Sequence, residues 1–247
     1  MLDPFILKPS IISDPVFAVI FASCSYDIDE YSENLFSAYD IEKVTELENA
    51  VPKRKAEYLA GRYMAKLALQ ELQITNTQVP IGKHRAPVWP AKTLGSISHT
   101  CQMAMCAVAE ESQWDYLGID IENKFNDEYT SLVKNKLIKA NEEAYLSSLD
   151  TDFNLLLTAV FSAKEALFKA LYPSVGEYFG FESAQVRELD VRKQTLTLTL
   201  TRDLCKQALQ GSNFNVKFTL GKSDVQTLVI GKFSPSGRSC NEHGCRV

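Results

Sequence analysis

The chain of 247 residues is 45% hydrophobic and 23% charged, with 26 basic residues against 31 acidic ones and a formal charge of -5. Such a balance can bury a core, which excludes disorder and collagen-like architectures, and it disfavours nonspecific binding to nucleic acid through a broad cationic face. Length alone permits one large domain or two of roughly 100 to 150 residues.

Asp3 and Pro4 stand where a secretion signal carries positive charge, and the longest apolar runs, 16–22 and 103–109, are too short to cross a bilayer as helices. A cytoplasmic chain without a membrane span is therefore expected. Cys24, Cys101, Cys106 and Cys205 sit among apolar or helical neighbours and read as reduced thiols. Charge is uneven: residues 1–50 hold ten acidic and two basic residues, whereas 53–92 hold eight basic and two acidic, a switch from -8 to +6. A run of this kind is either a solvated surface or a site for a multiply charged anion.

In chain order, residues 16–22 form an apolar β-type run. Pro52 opens a helix to about Leu72, in which Lys55, Tyr58, Arg62 and Lys66 share part of a face. A loop rich in turn residues, 75–93, leads into short strands at 94–98 and 102–109, and 116–122 reads as another strand. Helices are expected over 141–148 and 153–172, strands over 194–201, 213–220 and 225–233, and a loose tail over 234–247.

The chain also matches itself. Residues 62–69, Arg-Tyr-Met-Ala-Lys-Leu-Ala-Leu, lie over 160–167, Val-Phe-Ser-Ala-Lys-Glu-Ala-Leu, with four of eight identical at an offset of 98. An offset of 100 lays 16–22 over 116–122. The expectation is an α+β fold of two related lobes, 1–115 and 116–233.

The two halves differ where it matters chemically. The second presents Asp120, Glu122 and Glu165 where the first has Ile20, Ala22 and Leu67. Asp120 and Glu122, two apart on a strand, project from one face, while Ile119 and Ile121 point the other way into a core. A helix carrying Glu165 against that face completes a three-carboxylate cluster. Three such groups repel unless one is protonated or a cation lies among them, and oxygen-only ligands favour magnesium or manganese over zinc. An edge-strand pair facing solvent is the simpler alternative for an isolated Asp-Ile-Glu.

Four ordered blocks then carry a resemblance. They are Arg54-Lys-Ala-Glu-Tyr-Leu-Ala-Gly-Arg62, Arg85-Ala-Pro-Val-Trp-Pro90 leading into Gly95-Ser-Ile-Ser-His-Thr100, Gly118-Ile-Asp-Ile-Glu122, and Phe161-Ser-Ala-Lys-Glu-Ala-Leu-Phe-Lys169. In their order and spacing, over about 53–173, the chain resembles the Sfp-type 4'-phosphopantetheinyl transferases, and among them the siderophore-associated, enterobactin-pathway subgroup. The resemblance implies two α+β lobes related by a pseudo-twofold axis, with an active site in the cleft between them. It implies transfer of 4'-phosphopantetheine from coenzyme A to a serine of an apo carrier protein, a holo-acyl-carrier-protein synthase type of reaction that releases 3',5'-ADP.

By the same resemblance Asp120, Glu122 and Glu165 match magnesium ligands, and Glu165 also matches the general base that takes the serine proton. Lys169, one helical turn on, neutralises charge on the leaving phosphate, with Lys164 helping nearby. Arg54, Arg62, Arg85, Ser98 and His99 match positions that contact coenzyme A. The carriers implied are domains of nonribosomal peptide, polyketide or fatty acid synthases, a siderophore synthetase first among them. A monomer is expected, because two fused lobes place one complete site in one chain. Residues 91–94, Ala-Lys-Thr-Leu, stand where related enzymes commonly have a glycine, so the turn into the Ser-His strand is expected to differ.

Other features carry less. Cys240, His243 and Cys245 lack a fourth ligand for zinc. Ser98 and His99, adjacent on a strand, face opposite ways and lack a nucleophile elbow. Trp89 reads as a packing residue. Residues 123–139 set Lys124, Lys134, Lys136 and Lys139 among Phe125, Tyr129 and Leu132, a mixed surface suited to an acidic carrier protein. Two further functions use the same residues, a magnesium-dependent phosphodiesterase and a noncatalytic coenzyme A-binding protein. The net charge argues against nucleic acid as substrate of the first, and the retained carboxylates and Lys169 argue against the second.

Overall fold

A computed structural model describes residues 4–233 and 239–240. Apart from 239–240, the expected loose tail lies outside the described residues, as do the side chains of Cys240, His243 and Cys245. The chain folds as two units, Met1–Trp114 and Asp115–Val247.

The first unit opens on β1 (Ile6–Asp14), an edge strand missed by sequence patterning because nearly all its side chains are exposed and no alternation survives. Pro9 and a bulge between Leu7 and Ser10 fit that edge position. The next strand, β2 (Val19–Tyr26), starts later than the apolar run. Asp14 Oδ1 accepts from the N–H groups of Val16 at 2.8 Å and Phe17 at 3.1 Å, holding them in a turn. A short α1 (Leu35–Ala38), the long α2 (Pro52–Glu71), β3 (Thr93–His99) and β4 (Met103–Glu110) follow.

Among the described residues these strands form an antiparallel sheet in the order β1-β2-β4-β3. Helix α2 lays Ala56, Leu59, Ala60, Met64 and Ala68 onto Ala22, Cys24, Ala104, Cys106 and Val108. Small residues on both surfaces let the helix sit close. Both faces of β4 are buried, which is why its sequence is an unbroken apolar run rather than an alternation.

The second unit begins with β5 (Tyr116–Asn123) and three helices, α3 (Asp127–Leu137), α4 (Ala140–Ser147) and α5 (Phe153–Val175). Helix α3 was read only as a mixed surface segment. Asn126 caps it by accepting from Tyr129 N–H at 2.8 Å, and acidic residues start it while Lys134 and Lys136 end it, as the helix dipole favours. Helix α5 runs past Pro173, where it was expected to stop, and ends at Gly176 with φ 72°. Leu156, Leu157, Val160, Leu167 and Leu171 on α5 are almost wholly buried, each stabilising by about 1.5–3 kcal/mol.

Strands β6 (Ala184–Asp190), β7 (Thr195–Leu200), β8 (Asn213–Leu220), β9 (Asp224–Phe233) and β10 (Ser239–Cys240) complete the unit. Their order is β10-β9-β8-β7-β6, and β5 pairs antiparallel with β9.

The expected internal repeat has a structural counterpart. In each unit a strand leads into a long helix, and a later hairpin returns its last strand beside the first: β2, α2, β3, β4 and β5, α5, β8, β9. Burial repeats as well. Over the eight matched helix positions the burial class differs only at Lys66, half-buried, and Lys164, buried. The helix pattern is thus read twice by the same kind of sheet.

Candidate active site

Gly118, Asp120 and Glu122 alternate onto the face of β5 that meets α5. A Cβ on Gly118 would run into the Ala166 carbonyl and lie 2.6 Å from Ala170 N, so only glycine lets the strand approach the helix this closely. Asp120 is opposite Thr227 on β9. The Thr227 hydroxyl is 2.9 Å from Ser162 Oγ and donates to the Ser162 carbonyl at 3.0 Å, tying β9 to α5 beside the carboxylates. Ile119 and Ile121 are fully buried on the opposite side of β5.

Asp120 is buried, and its Oδ1 accepts from Lys169 Nζ at 2.7 Å. Burial, then the Asp120 charge, pushes Glu122 up to about 8, with Lys169 opposing and Glu165 adding to the rise. Burial also raises Glu165, with Lys169 opposing and Asp120 reinforcing. The three carboxylates expected to act together are therefore coupled electrostatically, as carboxyls crowded on a half-dry surface must be. Sequence reasoning did not anticipate that Lys169 would sit on Asp120.

Among the described residues no group of three His, Cys, Asp or Glu stands ready at metal-ligand spacing. Asp120, Glu122 and Glu165, expected as one metal-binding cluster, share this strand–helix face, and Lys169 is the cation that answers Asp120 there. The donor chemistry still fits a hard divalent cation. Glu122 and Glu165, held above their ordinary range by burial and by Asp120, gain from a positive charge beside them, and all the donors are oxygen.

Lys164, expected to help at the coenzyme A site, is engaged within the protein. It is buried, and its Nζ donates to Leu137 O at 2.7 Å, Glu142 Oε1 at 3.3 Å and Phe181 O at 3.3 Å. Glu142 in turn accepts from the N–H groups of Val186 at 2.8 Å and Lys139 at 3.0 Å. The lysine pins α5 to the end of α3, the start of α4 and β6. All three ammonium protons have protein acceptors, so Lys164 is a structural anchor.

In the first unit, Arg54 from the first turn of α2 and His99 from the end of β3 come together, with Arg54 Nη1 3.3 Å from His99 Nε2. Glu57 joins them, its Oε2 3.6 Å from Arg54 Nη1 and 4.0 Å from His99 Nε2. Ser98 is buried on the opposite face of β3, and Arg85 is exposed on the 83–85 turn. Arg62, also expected to contact coenzyme A, is only 9% exposed; its guanidinium lies 4.6 Å from the Tyr58 ring centroid and its Nε donates to Val79 O at 2.5 Å. Trp89 packs as expected, over Gly95, where a Cβ would strike the indole.

Comparison with known proteins gives the family. The model of the 4'-phosphopantetheinyl transferase N-terminal domain matches residues 42–109, and that of the 4'-phosphopantetheinyl transferase superfamily matches 116–222. The chain is 33% identical over 186 residues to enterobactin synthase component D of Salmonella typhi, covering 74% of this chain and 76% of that protein. To the protein of that name from Escherichia coli K12 it is 40% identical over 125 residues, 51% of this chain and 58% of the relative. It is 30% identical over 165 residues to 4'-phosphopantetheinyl transferase Npt of Nocardia iowensis, covering 66% and 71%. With both halves matched by family models and a relative 33% identical over most of its length, the chain belongs to the 4'-phosphopantetheinyl transferase superfamily.

Proposed function

We propose that this transferase loads a carrier domain of a siderophore nonribosomal peptide synthetase, in a magnesium-dependent holo-acyl-carrier-protein synthase type of reaction. The coupling of Asp120, Glu122 and Glu165 beside Lys169 on one strand–helix face supports this most directly. Asp120, Glu122 and Glu165 would hold magnesium, or manganese, which when bound supplies positive charge against the coenzyme A diphosphate. Arg54 and His99, with Arg85 and Ser98, bind coenzyme A.

Glu165 accepts the proton of the carrier serine, and its raised pKa brings that base closer to neutrality. The serine oxygen bonds to the phosphorus bearing the pantetheine arm as the bond to 3',5'-ADP breaks. Lys169 stabilises charge gathering on the leaving phosphate.

Helix α3 supplies the carrier-docking face, with Tyr129 and Leu132 exposed at 42% and 66% beside Lys136. Lys134 contributes less charge, because it is paired with Glu143 at 2.5 Å. The described residues hold no helix long and apolar enough to cross a membrane. Incubating the protein with coenzyme A, magnesium and an apo carrier domain tests the proposal, read by the mass of the carrier. A phosphopantetheine adduct on serine supports transfer, free hydrolysis products point to a phosphodiesterase, and binding without chemistry points to a noncatalytic protein. Lys136→Glu should raise KM for the carrier and leave that for coenzyme A unchanged.

A further inference from the structure

We infer that Glu57 is a positioning residue for coenzyme A, fixing Arg54 and His99 as one clamp; this rests on the reading that those two residues bind coenzyme A. In the sequence, Glu57 lies in the block 54–62 and is one of two acidic residues in a basic stretch, with no role assigned to it. The structure sets it at the junction of three elements. It lies one turn beyond Arg54 on α2, within reach of His99 at the end of β3, and close enough to Tyr26 on β2 for its charge to act on the phenol. Tyr26 is itself buried and donates to Thr100 O at 2.6 Å, fixing the backbone next to His99.

The exposures are graded in a way that suits an anion. The Arg54 side chain is 43% exposed, His99 29% and Glu57 12%. An approaching phosphate meets the Arg54 guanidinium and the His99 imidazole first, and the carboxylate lies beneath them. Two such groups 3.3 Å apart repel when the imidazole is protonated, so holding both toward one ligand needs a negative charge behind them. A carboxylate so near an anion site otherwise only weakens it. Its placement is explained if the ordering of Arg54 and His99 outweighs that repulsion, a preorganisation that lowers the cost of binding.

The test measures 3',5'-ADP binding by calorimetry together with transfer kinetics, in the full chain and in Glu57→Gln, His99→Ala, Arg54→Ala and Glu57→Gln/His99→Ala. Glu57→Gln should weaken 3',5'-ADP and raise KM for coenzyme A by about tenfold, with kcat at saturating coenzyme A, KM for the carrier and Tm unmoved. Because Glu57 acts through its neighbours, the double variant should bind little worse than His99→Ala alone. Additive losses, or normal binding in Glu57→Gln beside weakened binding in His99→Ala and Arg54→Ala, overturn the role of Glu57. Normal binding in His99→Ala and Arg54→Ala overturns the coenzyme A reading itself.

Discussion

Lys169 Nζ stands 2.7 Å from Asp120 Oδ1, so the most buried carboxylate of the cluster is answered by a cation from the helix that also carries Glu165. The ammonium thus places a positive charge against the carboxylate proposed to hold the metal. Asp120→Ala is expected to lower kcat by at least about a hundredfold, because charge stabilisation is lost where the phosphate bond breaks. Normal transfer by Asp120→Ala, followed as mass gained by the carrier, would show that the metal is held elsewhere.

The raised carboxyls make metal-free stability depend on pH. The folded pKa of Glu122 is raised from 4.5 to about 8, and Glu165 is raised too, so the folded chain keeps protons that the unfolded chain releases across that window. Stability from these groups is complete below about pH 4.5 and is lost as pH rises through about 8. In chelator, Tm should fall on going from about pH 6 to about pH 9, and Glu122→Gln should flatten the fall. With magnesium held by these carboxylates as proposed, the metal would take the place of the protons and should raise Tm more at the higher pH. A magnesium effect equal at both ends would contradict the coupling.

Lys164 and Glu142 form a buried pair, each almost wholly excluded from solvent. Lys164→Ala strands the carboxylate and should cost about 3–5 kcal/mol, whereas Lys164→Met should cost less. Denaturant titration measures both. KM for coenzyme A in the folded fraction should stay at the wild-type value, and a rise confined to that constant would return Lys164 to the ligand site.

Gly118→Ala forces β5 away from α5, because the new methyl has nowhere to go between Ala166 and Ala170. The expected loss is about 1–3 kcal/mol, with a drop in kcat that extra magnesium only partly restores as Asp120 and Glu122 move from Glu165. Thermal melts and magnesium titrations of transfer report the two effects separately.

Much of the site was legible in sequence because its signals are local. The two-residue spacing of Asp120 and Glu122 and the one-turn spacing of Glu165 and Lys169 each follow from the period of a single element. What escaped depends on pairs far apart in the chain. Lys164 looks like any helical lysine until Glu142, Leu137 and Phe181 close around it, and Arg62 looks like a ligand-binding arginine until Tyr58 and Val79 take it inside. Glu57 is visible in the block 54–62, but its role is not, since what sets it apart is the end of β3 folding back beside α2. Strand β1 was missed for the opposite reason, because an exposed edge leaves no periodic trace.

The anchoring of Lys164 has a dynamic consequence for its neighbour. Glu165 follows an anchor that joins α5 to α3, α4 and β6 at one point, so its helix has little freedom to slide or roll when the charge in front of it changes. Metal loading would then be taken up by side-chain torsions alone. Backbone amide exchange along α5 would be nearly the same with and without magnesium, while side-chain carboxyl resonances of Glu122 and Glu165 would shift: a rigid backbone carrying a responsive surface.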